Sequence, residues 1–124
     1  MSTIFVPYKT ISMAGTAEFT ENKSRFITHA YPCADEASAM NVLEETRRKY
    51  RDATHNCFAY CIGANKGIQR YSDDGEPGGT AGLPIMEVIK RQKVCNCCVV
   101  VTRYFGGVLL GAGGLVRAYS QGAA

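Results

Sequence analysis

Asp73, Asp74 and Glu76 put three carboxylates within four residues, at Ser72-Asp73-Asp74-Gly75-Glu76-Pro77. Carboxylates this dense can hold Mg²⁺ with several retained waters, although the ligand spacing of a calcium-binding helix–loop–helix is absent. Acids at turn starts also bond their own backbone. The reading preferred here is a turn whose acids pair with Arg103 or Arg117, with Thr80 capping the helix that follows. A second loop, Gly106-Gly107-Val108-Leu109-Leu110-Gly111-Ala112-Gly113-Gly114, separates an apolar strand from a helix. Strand, glycine loop and helix is the layout of an anion site, in which free N–H groups and the helix dipole face the ligand. No Gly-Lys-Ser/Thr is present, and Gly111-x-Gly113 is followed by Val116 where a dinucleotide fingerprint needs glycine. The alternative is a tight connection that needs small residues. Arg103 and Arg117 flank the loop, each beside a tyrosine, Tyr104 or close to Tyr119; arginine pairs phosphates and both residue types stack bases.

The six cysteines do not assemble into a metal site by spacing. Cys95-x-x-Cys98 is the one zinc-like pair, and on a strand Cys97 and Cys98 point to opposite faces. Cys57 and Cys61 would lie about 13 Å apart along a strand, too far to share one tetrahedral ion. His29 and His55 are the histidines. His55 and Cys57, about 7 Å apart on one strand face, exceed the reach of a nucleophile–base hydrogen bond. The expected state is buried thiols, no metal, no cofactor and no catalytic constellation.

These residues need a scaffold, and 124 residues supply one domain. Apolar content of 46% and charged content of 20% suit a globular core. No apolar run nears the ~20 residues of a membrane helix, and the amino terminus lacks a secretory pattern; a cytoplasmic protein is expected. The net charge of +3 is uneven: residues 77–124 hold Lys90, Arg91, Lys93, Arg103 and Arg117 against Glu87 alone. A basic half of this kind is compatible with an anionic partner or with a solvated face.

Residues 3–9 read as an edge strand, and 15–20 with 24–32 as a hairpin. Asp35 is placed to cap a helix over 36–51, with Ala39, Leu43, Thr46 and Tyr50 as its inner stripe. Residues 55–63, apolar on both faces, predict a central strand, and 68–72 a return strand after a turn at 65–67. A second helix is expected near 80–93, a strand at 97–105 and a third helix opening at Leu115. The order β-β-β-α-β-β-α-β-α argues an α+β two-layer sandwich, a mostly antiparallel sheet of four or five strands with helices on one face.

Three ordered motifs, His55-Asn-Cys57-Phe-Ala-Tyr60, Asp73-Asp-Gly-Glu-Pro77-Gly-Gly-Thr80-Ala-Gly82-Leu-Pro84 and Arg103-Tyr-Phe-Gly-Gly107-x-x-Leu110-Gly111-x-Gly113-Gly-Leu-Val-Arg117-Ala-Tyr119, resemble the YigZ/IMPACT family over most of the chain. Cys61 and Gly78 depart mildly from the family pattern. The resemblance implies a fold like domain IV of elongation factor G and a small-subunit ribosomal protein domain. It also implies a role in translational control, with RNA, the ribosome or a regulatory protein as partner. Bacterial members usually carry a further ferredoxin-like domain, which this chain would lack. The family supplies no catalytic residue to carry over. The function expected is a non-catalytic regulator of translation that binds RNA or the ribosome. The alternatives are a Mg²⁺-dependent enzyme or binding protein for a phosphorylated small molecule, and a protein–protein regulatory domain.

Overall fold

A computed structural model of the chain describes residues 9–10, 14–63 and 67–123. Its element order is β1 (Lys9–Thr10), β2 (Gly15–Glu21), β3 (Ser24–Pro32), α1 (Glu36–Lys49), β4 (His55–Ile62), β5 (Ile68–Ser72), α2 (Gly82–Arg91), β6 (Val94–Cys95), β7 (Cys97–Tyr104) and α3 (Gly111–Ala123). Residues 3–8 of the expected amino-terminal strand, and most of the turn expected at 65–67, lie outside the described residues.

Local chemistry accounts for the boundaries. Asn22 and Lys23 turn the β2–β3 hairpin at φ of 46° and 64°. Two positive φ values in a two-residue loop match the right-handed twist of the strands they join. Asp35 caps α1, accepting the Ser38 N–H at 2.8 Å, which satisfies one of the otherwise unpaired donors of the first turn. Glu36 and the run Arg47, Arg48, Lys49 sit at the helix ends that their charges favour. Pro84 falls in the first turn of α2, where a missing N–H costs nothing. No described helix is long and apolar enough to cross a membrane.

Five strands form one fully antiparallel sheet in the order β2-β3-β7-β4-β5. β1 and β6 pair in parallel as a separate two-stranded ribbon. The α+β class and the antiparallel sheet agree with the sequence reading. The distribution of helices corrects it. Odd-numbered positions of β4 and β7 (Cys57, Ala59, Cys61, Cys97, Val99, Val101) join Ile85, Met86, Ile89, Leu115 and Tyr119 of α2 and α3 in one apolar cluster. Even-numbered positions (Tyr60, Ile62, Cys98, Val100) join Ala39 and Leu43 of α1 in another. Successive strand residues face opposite ways, so α1 covers one face, α2 and α3 the other, and the domain has three layers. The reason is the composition of the two central strands: apolar on both faces, they need a cover on each. All six cysteines are buried, Cys97 and Cys98 on opposite faces, and burial pushes the Cys97 thiol up to about 12.

His29 sits on the α1 side, 3% exposed, its ring 4.8 Å from that of Tyr50. Its Nε2 has no hydrogen-bond partner among the described residues. Burial, aided by the positive charge of Lys49, holds its pKa below the ordinary 6.5. The unfolded chain therefore takes up a proton first as pH falls. Stability contributed by neutral His29 is complete above pH 6.5 and is lost below it, down toward the lower folded value. His29→Phe is expected to flatten the slope of urea-unfolding free energy between about pH 6.5 and 5. An unchanged slope would place the acid sensitivity elsewhere.

Candidate functional site

Strand register brings the three motifs to one place. His55 of β4 and Arg103 of β7 are cross-strand neighbours on the face that carries α2 and α3, and Phe26 of β3 lies on the other side of Arg103. The acidic loop leaves the end of β5 and is fastened at each acid. Asp73 accepts the N–H groups of Ala81 and Gly82 at 3.1 and 2.8 Å and of Gly79 at 3.0 Å. Burial alone would raise the Asp73 pKa, but the three amides outweigh it and hold it below the usual carboxylate range. Asp73 thus takes the helix-starting role expected of Thr80, whose hydroxyl instead donates to the Pro77 carbonyl at 2.6 Å. Asp74, at φ 43°, accepts the Asn56 N–H on its carboxylate at 2.7 Å, and its carbonyl lies 2.8 Å from His55 Nδ1. Aspartate tolerates this left-handed conformation better than most residues, and the turn swings Glu76 inward.

Glu76 is the centre of the cluster. It is 7% exposed and accepts Arg103 Nη1 on both oxygens, at 3.0 and 2.8 Å. The Tyr119 hydroxyl donates to it as well, and His55 Nε2 stands 3.4 Å from Oε1. A carbonyl only accepts, so Nδ1 of His55 is the donor to Asp74; Nε2 offers Glu76 an N–H only in the imidazolium form. Arg103 is itself boxed in, its Nε donating to Ser24 Oγ at 3.2 Å and its guanidinium 5.7 and 5.3 Å from the rings of Phe26 and Phe105. The Cys57 thiol donates to the Asp73 carbonyl at 3.0 Å. Burial pushes both the Cys57 thiol and the Tyr119 phenol well up, so both stay protonated at neutral pH.

Above this floor lies an open cavity of about 360 Å³. Glu76, Arg103 and His55 face it from below, Leu110 and Leu115 wall it, and Leu109 stands on its rim, 82% exposed. Phe105, 45% exposed, extends the apolar rim. Helix α3 begins at Gly111, φ 75°, four residues before the expected start. Gly111, Gly113 and Gly114 therefore form the first turn of the helix, and only Gly106 and Gly107 remain in a loop.

The structure places the expected contact residues in three settings. Arg103 and Tyr119 are 4% and 0% exposed and bond to Glu76, Arg103 also lying in the floor of the cavity. β7 is the central strand, and its odd-numbered positions enter the α3 interface; Tyr119 continues the buried stripe of Leu115 and Ala118. Tyr104 alternates to the opposite face, where its hydroxyl donates to Asp52 at 2.9 Å and Arg25 lies over its ring. Arg117 is exposed on α3. The four therefore do not share one surface. Each of Asp73, Asp74 and Glu76 already accepts hydrogen bonds from the protein, and no described group of three His, Cys, Asp or Glu is arranged to hold a metal ion. His55 and Ser24, members of the cluster that sequence reasoning gave no role, carried one signal: polar side chains on the inward parity of strands beside a buried arginine.

The Impact N-terminal domain family matches residues 22–124. The IMPACT family member YvyE of Bacillus subtilis is 49% identical over 114 residues, covering 92% of this chain and 52% of that protein. The chain spans about half the length of the curated bacterial relatives it matches. A crystal structure of a hypothetical protein superposes with a TM-score of 0.87 at 38% identity, over 90% of this chain and 55% of the other. A structure of the two-domain translational regulator Yih1 aligns over 99% of this chain and 52% of its own, with a TM-score of 0.57 and 27% identity.

Proposed function

The chain belongs to the IMPACT family through its N-terminal domain, and from that premise we propose that it is a non-catalytic binding domain acting in the regulation of translation. One observation carries the proposal. The polar groups that converge from the three motifs are spent on each other around Glu76, whereas what the same region offers to solvent is the apolar rim Phe105 and Leu109 over a cavity. A buried, mutually satisfied network rigidifies its surroundings, and an exposed apolar patch marks a contact surface. The relative Yih1 is a translational regulator, which supports a protein component seated on or belonging to the ribosome as the partner. The acids that would have bound Mg²⁺ with a phosphorylated metabolite are engaged within the fold, which weakens that alternative.

A second reading, direct RNA contact, is favoured by a separate feature. Arg103 is withdrawn from the basic half of the chain, but Lys90, Arg91, Lys93 and Arg117 are all exposed. Co-sedimentation with purified ribosomes, alongside binding to single-stranded and duplex RNA across a salt series, separates the two. Protein contact predicts ribosome binding that survives salt and is lost on Leu109→Ser. RNA contact predicts a steep fall with salt, and Arg117→Ala reduces the log–log slope by about one if it meets a phosphate. Failure to bind ribosomes or RNA at any salt concentration rejects both readings.

A further inference from the structure

β5 ends the order β2-β3-β7-β4-β5, so one of its backbone edges meets no strand among the described residues. Such an edge is a template for another strand. Beside it a groove of about 690 Å³ lies between α1 and the β4–β5 pair. Met40, 59% exposed, lines it with the rings of Phe58 and Tyr60; Arg70, paired with Tyr60, falls on this face of the sheet, whereas Tyr71, paired with Ala59, alternates to the other. Arg47 and Arg70 supply its positive charge; the Arg47 guanidinium lies 5.5 Å from the Phe58 ring, and Arg70 Nη1 donates to the Gln69 carbonyl. The nearby acids are occupied. Glu44 is paired with Arg48 at 3.1 Å, and Glu36 accepts the Tyr60 hydroxyl at 2.7 Å. Neither Arg47 nor Arg70 is in an ion pair among the described residues.

We propose that β5 and this groove take an extended acidic segment of a partner protein, added to the five-stranded sheet as a further strand. Strand addition uses main-chain hydrogen bonds for affinity and alternate side chains for specificity. With a side-chain period of two, the partner's carboxylate-bearing set enters the groove beside Met40 and reaches Arg47 and Arg70, while the alternate set lies on the Tyr71 face of the sheet. The open backbone edge favours a peptide over a nucleic acid. This surface is distinct from the rim around Leu109, so the two proposals stand or fall separately.

The test uses the ¹⁵N-labelled chain and an eight-residue peptide of alternating Glu and Val, with a Lys–Val peptide as its charge control. The expected result is amide shifts confined to Ile68–Ser72, the facing part of β4 and α1, absent with the Lys–Val peptide. Both arginines are exposed, so Arg47→Glu with Arg70→Glu should keep the thermal midpoint and weaken binding about tenfold or more. No shifts at about 1 mM peptide, equal binding of the two peptides, or shifts centred elsewhere would overturn the proposal. So would β5 shifts that grow with protein concentration alone and accompany a dimer mass in sedimentation, because the edge would then pair with a second copy.

Discussion

Glu76→Ala is expected to destabilise the domain by about 3–5 kcal/mol, because it leaves the Arg103 charge buried without a counter-ion. That loss is comparable to the lower end of the whole stability of a domain this size. At roughly 4 °C per kcal/mol for a chain of this length, the thermal midpoint should fall by about 12–20 °C. The effect is large because Glu76 serves several groups at once: two contacts from Arg103, the Tyr119 hydroxyl, and His55 at 3.4 Å. Glu76→Gln keeps the shape and an acceptor for Tyr119 while losing the charge, and should fall between wild type and Glu76→Ala. Exposed pairs set the contrast. The Arg25–Glu18 pair, about half exposed on both sides, contributes little, as solvent-screened surface ion pairs do. The double variant Glu76→Leu with Arg103→Met should lose less than the sum of the two single changes, since it removes both charges together. Urea unfolding of the wild type, Glu76→Ala, Glu76→Gln, the double variant and its two single changes decides. A loss below about 1 kcal/mol for Glu76→Ala would mean that water screens the pair as it does a surface one, and the rigid floor inferred beneath the cavity would not exist.

The elements were legible in the sequence where one local signal decided them. The hairpin, the Asp35 cap and the inner stripe of α1 follow from turn residues, a short acceptor and helical spacing, and each needs only its own neighbours in the chain. The face taken by α1 was harder to read, because no local signal states which side of a sheet a helix will cover. The signal was present in another element: β4 and β7 are apolar at both odd and even positions, and a strand buried on both faces requires two covers. The pairing of the acidic loop with Arg103 could be read as charge seeking countercharge, with Arg117 equally eligible from spacing alone. Register settles the choice, since Arg103 lies opposite His55 and Phe26 on the inner face and Arg117 falls outside the buried stripe of α3. Arginine and tyrosine close together in sequence suggest a nucleic-acid surface only if they emerge on one side. Here strand alternation sends Tyr104 to one face and Arg103 to the other, and helical spacing turns Tyr119 inward.

The glycines divide on the same physical basis, and the division predicts the other large effect. Gly106→Ala is expected to cost about 3 kcal/mol or more, in the range reserved for strain and broken buried networks. A Cβ at Gly106 would lie 1.9 Å from the Lys23 carbonyl oxygen and 2.2 Å from its carbon. Both are backbone atoms of the hairpin turn, so no rotamer change relieves the clash. Moving the turn also disturbs Ser24, whose Oγ lies 3.3 Å from the Gly106 nitrogen and receives Arg103 Nε; the strain therefore reaches the Glu76 cluster. Gly107→Ala meets no atom but keeps a φ of 88°, at a cost of about 1–2 kcal/mol. Gly113→Ala meets at nearest the flexible end of Arg117, at 3.5 Å, within the first turn of α3, and should stabilise by about 0.5–1 kcal/mol. Urea midpoints in the order Gly113→Ala above wild type, then Gly107→Ala, then Gly106→Ala would assign the front of the glycine run to close backbone approach. Equal, small losses at all three, together with a raised midpoint in phosphate that disappears in the variants, would instead return the whole run to anion binding.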